Sequence, residues 1–237
     1  YQEDFTLIGT TDQEHTHADV APTCTDEEAQ YLCDFASNYF KKPVEMGDIV
    51  WRYSGVRPLY DDGASSAQAA TRDYVLKLDD SGAPVLNIFG GKITTYRKLA
   101  EAAMEKLTPF FPQAAAPWTA GVAMPGGDFE VHQVGDKIAE LQRDYPFLTD
   151  AWAKRLIRAY GTEAPEMLGA AKSAADLGTD FGATLTAAEV DWLMSQEYAR
   201  AAADVVWRRS KLGLRLNEQQ IAAIDSYMAA ARQKASA

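Results

Sequence analysis

The residues with the clearest capacity for chemistry lie in the run Ile88-Phe89-Gly90-Gly91-Lys92-Ile93-Thr94-Thr95-Tyr96-Arg97. A strand-like apolar stretch ends there in two glycines, and a helical pattern begins within a few residues. Paired glycines allow close backbone approach, and a helix start presents unpaired N–H groups carrying partial positive charge. Lys92 adds a full charge, and the Thr94 and Thr95 hydroxyls add hydrogen-bond donors. Such a turn suits a phosphate or the electron-rich edge of a reduced flavin. It serves equally as a tight strand–helix connection with a surface lysine. It is not a Walker A loop, because the GxxxxGK[ST] spacing is missing.

Two further runs carry well-placed cations. In Trp51-Arg52-Tyr53-Ser54-Gly55-Val56-Arg57-Pro58-Leu59, the guanidinium of Arg57 is flanked by a strand end and a proline. A planar fork of donors there suits bidentate grip on phosphate or carboxylate. Arg72 occupies the corresponding place in Thr71-Arg72-Asp73, ahead of the next strand-like run. Either arginine taken alone reads as an ordinary surface charge.

The elements that must position these residues are mixed α/β. Phe5–Gly9 is strand-like and lies close to Tyr1, an opening expected of a cut rather than of a natural start. Thr25 and Glu28 form a capping box ahead of the helical stripe Ala29, Leu32, Ala36, Tyr39 and Phe40, with a stop expected before Pro43. Asp48–Tyr53, Tyr74–Leu78 and Pro84–Phe89 read as strands, the first two with the alternation of half-buried antiparallel strands. Thr94–Leu107 reads as a helix. Four prolines and three glycines in 108–127 mark a linker.

Beyond it the chain reads as helical. Val131, Val134, Ile138 and Leu141 form one stripe, and Thr149 caps a second helix, closed by Gly161. Thr186 with Glu189, and Asn217 with Gln220, supply capping boxes for two more. The expected organisation is therefore an α/β region over 1–107, a linker over 108–127 and an all-α domain over 128–237.

Composition narrows the function classes. The chain has 237 residues and a net charge of −11, which argues against a general nucleic-acid binder. Residues 50–110 hold eight Lys/Arg against seven Asp/Glu, so the segment carrying the candidate site is not acidic although the chain as a whole is. A small anionic ligand fits that distribution better than a polymer. No apolar run is long enough to span a bilayer, and no secretory leader is visible. Cys24 and Cys33 are expected as free thiols. His15 and His17 form an HxH pair without a third ligand, so they read as surface histidines and no metal site is expected. The basic run Arg208, Arg209, Lys211 and Arg215 reads as a solvated helix face. Trp118, Trp152, Trp192 and Trp207 read as helical core.

Tyr53–Leu59 (YSGVRPL), Thr71–Tyr74 (TRDY) and Gly90–Leu99 (GGKITTYRKL), in this order and spacing, resemble the flavin-dependent glycerol-3-phosphate dehydrogenases. Ile8–Asp12 (IGTTD) and Trp207–Gly213 (WRRSKLG) are similar to the same family, so the resemblance covers nearly the whole chain. It implies the C-terminal half of an FAD-dependent oxidoreductase: strands of a substrate-domain sheet and a flavin-site strand–helix turn, then a helical C-terminal domain. It also implies oxidation of sn-glycerol 3-phosphate to dihydroxyacetone phosphate, with electrons passing through FAD to a membrane quinone. By that likeness Arg57 and Arg72 hold the substrate, and Lys92 lies at the reactive face of the flavin. Gly90, Gly91, Ile93 and Thr94 cradle the isoalloxazine, with Thr11 in the same neighbourhood. The implied location is peripheral, on the inner face of the cytoplasmic membrane, with a homodimer among the assemblies the likeness allows.

The family's GxGxxG fingerprint and its histidine base are absent from this stretch, so the isolated chain is expected to be inactive and to bind FAD weakly or not at all. The related oxidase, which passes electrons to oxygen, remains an alternative. So does a helical half serving only as a dimerisation or interaction module.

Overall fold

A computed structural model describes residues 4–15, 17, 19–60 and 73–235. The chain divides into two units, Glu3–Val122 and Ala123–Ala237, with the division inside the Pro/Gly-rich stretch.

In the first unit, α1 (Asp26–Ser37) starts where its local chemistry directs. The Thr25 hydroxyl accepts from the Glu28 amide at 3.2 Å, and the Glu28 carboxylate accepts from the Thr25 amide at 3.0 Å. The helix buries Ala29, Cys33 and Ala36. It stops at Ser37, several residues before Pro43, because Asn38 turns its side-chain amide back onto the carbonyls of Asp34 and Phe35. Tyr39 and Phe40 therefore fall past the helix end and are exposed, contrary to the stripe expected of them.

Strands β1 (Val75–Asp79) and β2 (Val85–Phe89) pair antiparallel, Val75 opposite Phe89 and Asp79 opposite Val85. A turn of 3₁₀ helix, Ile93–Thr95, leads into α2 (Tyr96–Leu107). Phe5–Gly9 and Asp48–Tyr53 are not strands. The Trp51 and Tyr53 rings stack at 4.8 Å, as residues i and i+2 do on one face of an extended backbone. The chain is extended there but finds no ladder partner among the described residues, and a strand exists only through its ladder.

The second unit is built from α3 (Val134–Asp144), α4 (Asp150–Tyr160), the short α5 (Ala164–Leu168), α6 (Ala187–Gln196), a π-helical turn (Asp204–Arg209) and α7 (Glu218–Ala235). A small hairpin of β3 (Asp180–Gly182) and β4 (Leu185–Thr186) sits among the helices. Thr149 caps α4 by accepting from the Trp152 amide, and Asn217 and Gln220 exchange backbone-to-side-chain bonds, both 2.9 Å, ahead of α7. One continuous core joins Leu156, Leu185, Val190, Leu193, Val205, Val206, Leu212, Ile224 and Met228. Trp152, Trp192 and Trp207 pack against it, whereas Trp118, in the first unit, is 68% exposed and is not core. Gly213 lies flat on the Trp207 indole, where a Cβ would come within 2.4 Å of the ring.

The capping box expected at Thr186–Glu189 does not form. Thr186 occupies the N-cap position without a side-chain cap bond. Glu189 instead turns inward and is 1% exposed. Its carboxylate takes both arms of the Arg155 fork at 2.6 Å and the Tyr160 hydroxyl at 2.7 Å.

No helix among the described residues is long and apolar enough to cross a membrane. Cys24 and Cys33 are free thiols.

Candidate functional site

Three of the motif segments meet at one backbone position. Gly90 has φ +69°, a conformation that favours glycine. A Cβ built there would stand 2.9 Å from the Asp73 carbonyl oxygen and 3.7 Å from that of Pro58. The residue after Arg72, the residue after Arg57 and the first glycine of the GGK turn thus pack together. Beside this junction the Tyr60 and Phe89 rings lie 5.5 Å apart, with the Lys77 ammonium 4.7 Å over the Tyr60 ring and hydrogen-bonded to its hydroxyl. A Cβ on Gly91, φ +95°, would stand 3.4 Å from the Leu99 side chain of α2 and 3.6 Å from that of Tyr74. Arg72 itself lies outside the described residues, as does Thr71.

Arg57 is exposed and pairs with Asp12 at 3.0 Å. Its neighbour in that segment, Thr11, donates its hydroxyl to Glu28 at 2.6 Å. That bond, with those from Thr25, holds the Glu28 carboxyl below the usual carboxylate range. A third tie joins Arg52 to Asp26 at 2.5 Å. The segment 10–12, the start of α1 and the arginine-bearing stretch are therefore held to one another by polar bonds. Asp12 was not legible as a partner of Arg57, since an acid 45 positions away carries no local signal.

These stretches line an open concavity of about 2660 Å³. That is several times the ~300–1,000 Å³ of a formed ligand pocket. It is a gap between extended segments and α1, and the Gly90–Thr94 turn does not line it.

The turn itself is open. Lys92 is exposed and Ile93 is 87% exposed. The Lys92 backbone is extended, and the amides of Ile93 and Thr94 open the following turn, while that of Thr95 bonds the Lys92 carbonyl at 3.0 Å. Exposed helix-start amides beside an ammonium form a donor set that suits the electron-rich edge of a flavin ring. The residues present fit that group. Among the described residues no cluster of His, Cys, Asp or Glu is arranged to hold a metal ion. His15 is exposed and bonds the Val20 carbonyl at 2.8 Å.

Comparison with known proteins defines the class. Residues 1–97 match the family described as FAD dependent oxidoreductase, and residues 118–236 match the C-terminal domain of alpha-glycerophosphate oxidase. The chain belongs to this family: an FAD-dependent oxidoreductase portion followed by that C-terminal domain. The aerobic glycerol-3-phosphate dehydrogenase of Escherichia coli is 44% identical over 230 residues, 96% of this chain and 46% of that protein. A glycerol-3-phosphate dehydrogenase of Pseudomonas aeruginosa is 40% identical over 96% of the chain and 45% of its own length. The D-erythritol 1-phosphate dehydrogenase of Brucella abortus is 39% identical over 94% and 45%. The chain thus spans a little under half the length of these relatives.

Proposed function

We propose that this chain is the C-terminal part of a flavoenzyme that oxidises sn-glycerol 3-phosphate to dihydroxyacetone phosphate and passes the electrons through FAD to quinone. What supports the reading is similarity to glycerol-3-phosphate dehydrogenases along nearly the whole chain, with the motif segments packed against one another at Gly90. FAD, when bound, supplies the acceptor for the hydride leaving the substrate's carbinol carbon. Arg57 and Arg72 grip the phosphate and the adjoining hydroxyl end. The Arg57–Asp12 pair does not oppose this: an exposed ion pair is worth about 0–1 kcal/mol. A charge-assisted bond to a phosphate dianion is worth on the order of 1.5–3 kcal/mol, so the phosphate wins the fork. Lys92 compensates negative charge at the flavin edge, with the backbone of Gly90, Gly91, Ile93 and Thr94 placing it there. Thr11 keeps the neighbouring segment in register through Glu28. A quinone acceptor implies a peripheral position on the inner face of the cytoplasmic membrane.

A second reading keeps the reaction and changes the substrate. The erythritol phosphate enzyme is as similar to this chain as one of the glycerol phosphate enzymes, within one per cent identity. One set of kinetics tests both readings. The full-length protein, loaded with FAD, is assayed on both polyol phosphates with a quinone analogue or with oxygen. Glycerol 3-phosphate should be preferred, and the quinone analogue should be reduced faster than oxygen. Arg57→Ala should lower kcat/KM by roughly 10- to 150-fold, since each 1.4 kcal/mol is tenfold. Arg57→Lys should rescue only in part, because a point charge lacks the fork. Preference for erythritol 1-phosphate would install the second reading. Arg57→Ala with KM and kcat both within twofold of the parent would remove Arg57 from the site.

A further inference from the structure

Helix α2 carries the Gly90–Thr95 turn at its leading end, yet little apolar packing holds the helix in place. Ala103 is its one buried residue, and Leu99 reaches back to Gly91. A polar fastening converges on Glu101, whose side chain is 15% exposed. Its carboxylate accepts from the Thr119 hydroxyl at 2.6 Å and from Arg97 Nη1 at 2.8 Å, while Lys98 contributes a looser contact at 3.3 Å. Arg97 Nη1 also donates to Thr119 Oγ1 at 3.2 Å. Arg97, Glu101 and Thr119 thus close a three-membered ring of hydrogen bonds, with Thr119 brought back to the helix from 18 positions beyond Glu101. The Thr119 hydroxyl, first among several donors, holds the Glu101 carboxyl below its usual range, as expected of a carboxylate bound in its charged form.

We propose that the Arg97–Glu101–Thr119 ring is a positioning clasp for the flavin-edge turn, fixing the rotation of α2 and with it the placement of Lys92 and Thr94. The inference rests on the functional reading above. Its mechanics follow from helix geometry. Glu101 lies seven residues from Thr94, about 10 Å along the axis at 1.5 Å per residue. A helix is stiff over two turns, so releasing one lateral tether lets the whole leading turn rotate. Packing at Ala103 alone does not set that rotation, because a methyl group offers little lateral purchase. Thr119 touches neither substrate nor cofactor in this scheme; it acts through α2.

The test is a set of single substitutions in the full-length, FAD-loaded protein. Thr119→Val removes the hydroxyl and keeps the shape, Thr119→Ser restores it, and Lys137→Ala breaks the 2.8 Å Lys137–Glu140 pair on α3 as a control. Thr119→Val should speed amide hydrogen exchange over residues 92–101, shift the flavin absorption bands and lower kcat with KM within twofold. The loss of kcat should be on the order of tenfold, short of the ~100-fold that a 1 Å misplacement can cost. Thr119→Ser should return all three readouts toward the parent, and Lys137→Ala should move none. A Thr119→Val protein that melts lower but keeps its flavin spectrum and kcat would overturn the clasp and leave a purely structural bond. If the unsubstituted protein binds FAD but does not oxidise glycerol 3-phosphate, the functional reading fails instead. Exchange and absorption then still decide the clasp.

Discussion

Replacing Arg155 by Met tests the least replaceable polar contact in the helical unit. The substitution leaves the Glu189 carboxylate, whose side chain is 2% exposed, with the Tyr160 hydroxyl at 2.7 Å and no cation. Breaking a buried pair from one side costs about 3–5 kcal/mol, because the remaining charge stays desolvated. Arg155 also holds the β3–β4 turn, donating Nε to the Thr184 hydroxyl at 2.8 Å and Nη2 to its carbonyl at 2.9 Å. Ala183 and Thr184 in that turn have φ +50° and +66°, a region costly for side-chain-bearing residues. The loss should therefore fall in the upper part of that range. At the enthalpies of a domain near this size it lowers Tm by more than about 10 °C. The assay is urea unfolding of the chain, followed by far-UV circular dichroism, with the slope m checked for constancy. The double variant Arg155→Met with Glu189→Leu removes both charges and should be more stable than Arg155→Met alone, the signature of a desolvated pair. An Arg155→Met cost below about 1 kcal/mol, typical of an exposed pair, would refute the reasoning, as would strictly additive effects in the double variant.

Tyr227, partly buried and bonded to both Asp191 oxygens at 2.8 and 3.0 Å, has its phenol pushed up to about 12, by burial first and then by the carboxylate. The folded state keeps this proton after the unfolded chain has released it near pH 10. The stabilisation is therefore complete below 10 and is lost as pH rises toward 12, by up to about 2–3 kcal/mol at 1.36 kcal/mol per unit. Burial and Glu189 push Tyr160 in the same direction. Melts between pH 9 and 12 should show a shallower alkaline decline for Tyr227→Phe, and identical declines would contradict the assignment. Limited proteolysis should cut first within 108–127 and release an intact helical fragment, because that unit has a core of its own. Cleavage spread evenly over 128–237 would show that it does not fold as a separate domain.

What the sequence made legible was chemistry completed within a few residues. The boxes at Thr25–Glu28 and Asn217–Gln220 form because both partners lie on one turn. The β1–β2 hairpin forms because its strands are a short loop apart. Phe5–Gly9 and Asp48–Tyr53 have the composition of strands, but a strand needs a neighbour that composition does not name. Glu189 has the spacing of a capping residue and goes instead to Arg155, 34 positions earlier, because a bidentate guanidinium offers a buried carboxylate more than one backbone amide does. The candidate site followed the same division. The glycine turn and Arg57 were visible as motifs, whereas their junction at Gly90 and the ties Asp12–Arg57 and Glu101–Thr119 depend on chain separated by tens of residues.

The two units hold their shapes by different means, and this bears on where the chemistry sits. The helical unit buries a continuous apolar core and leaves Met124, Val131 and Tyr198 as its exposed large apolar side chains among the described residues. The first unit fully buries only Ala29, Cys33, Ala36 and Ala103 of its described apolar residues. It leaves the aromatic row Tyr31, Phe35 and Tyr39, on and just past α1, exposed, rings 6.3 and 5.5 Å apart. Four small side chains cannot fix a site by packing. Its geometry rests on directional bonds: Thr11 to Glu28, Asp12 to Arg57, Asp26 to Arg52 and Thr119 to Glu101. Bonds of this kind are specific in direction but individually modest, about 1 kcal/mol net each, and a phosphate or flavin contact is at least their equal. On the proposed reading, a site so built is set by its ligands as much as by its frame, because Arg57 would leave Asp12 for a phosphate at almost no net cost. Bound substrate and cofactor should therefore order the first unit, while the helical unit, already closed around its own core, changes little.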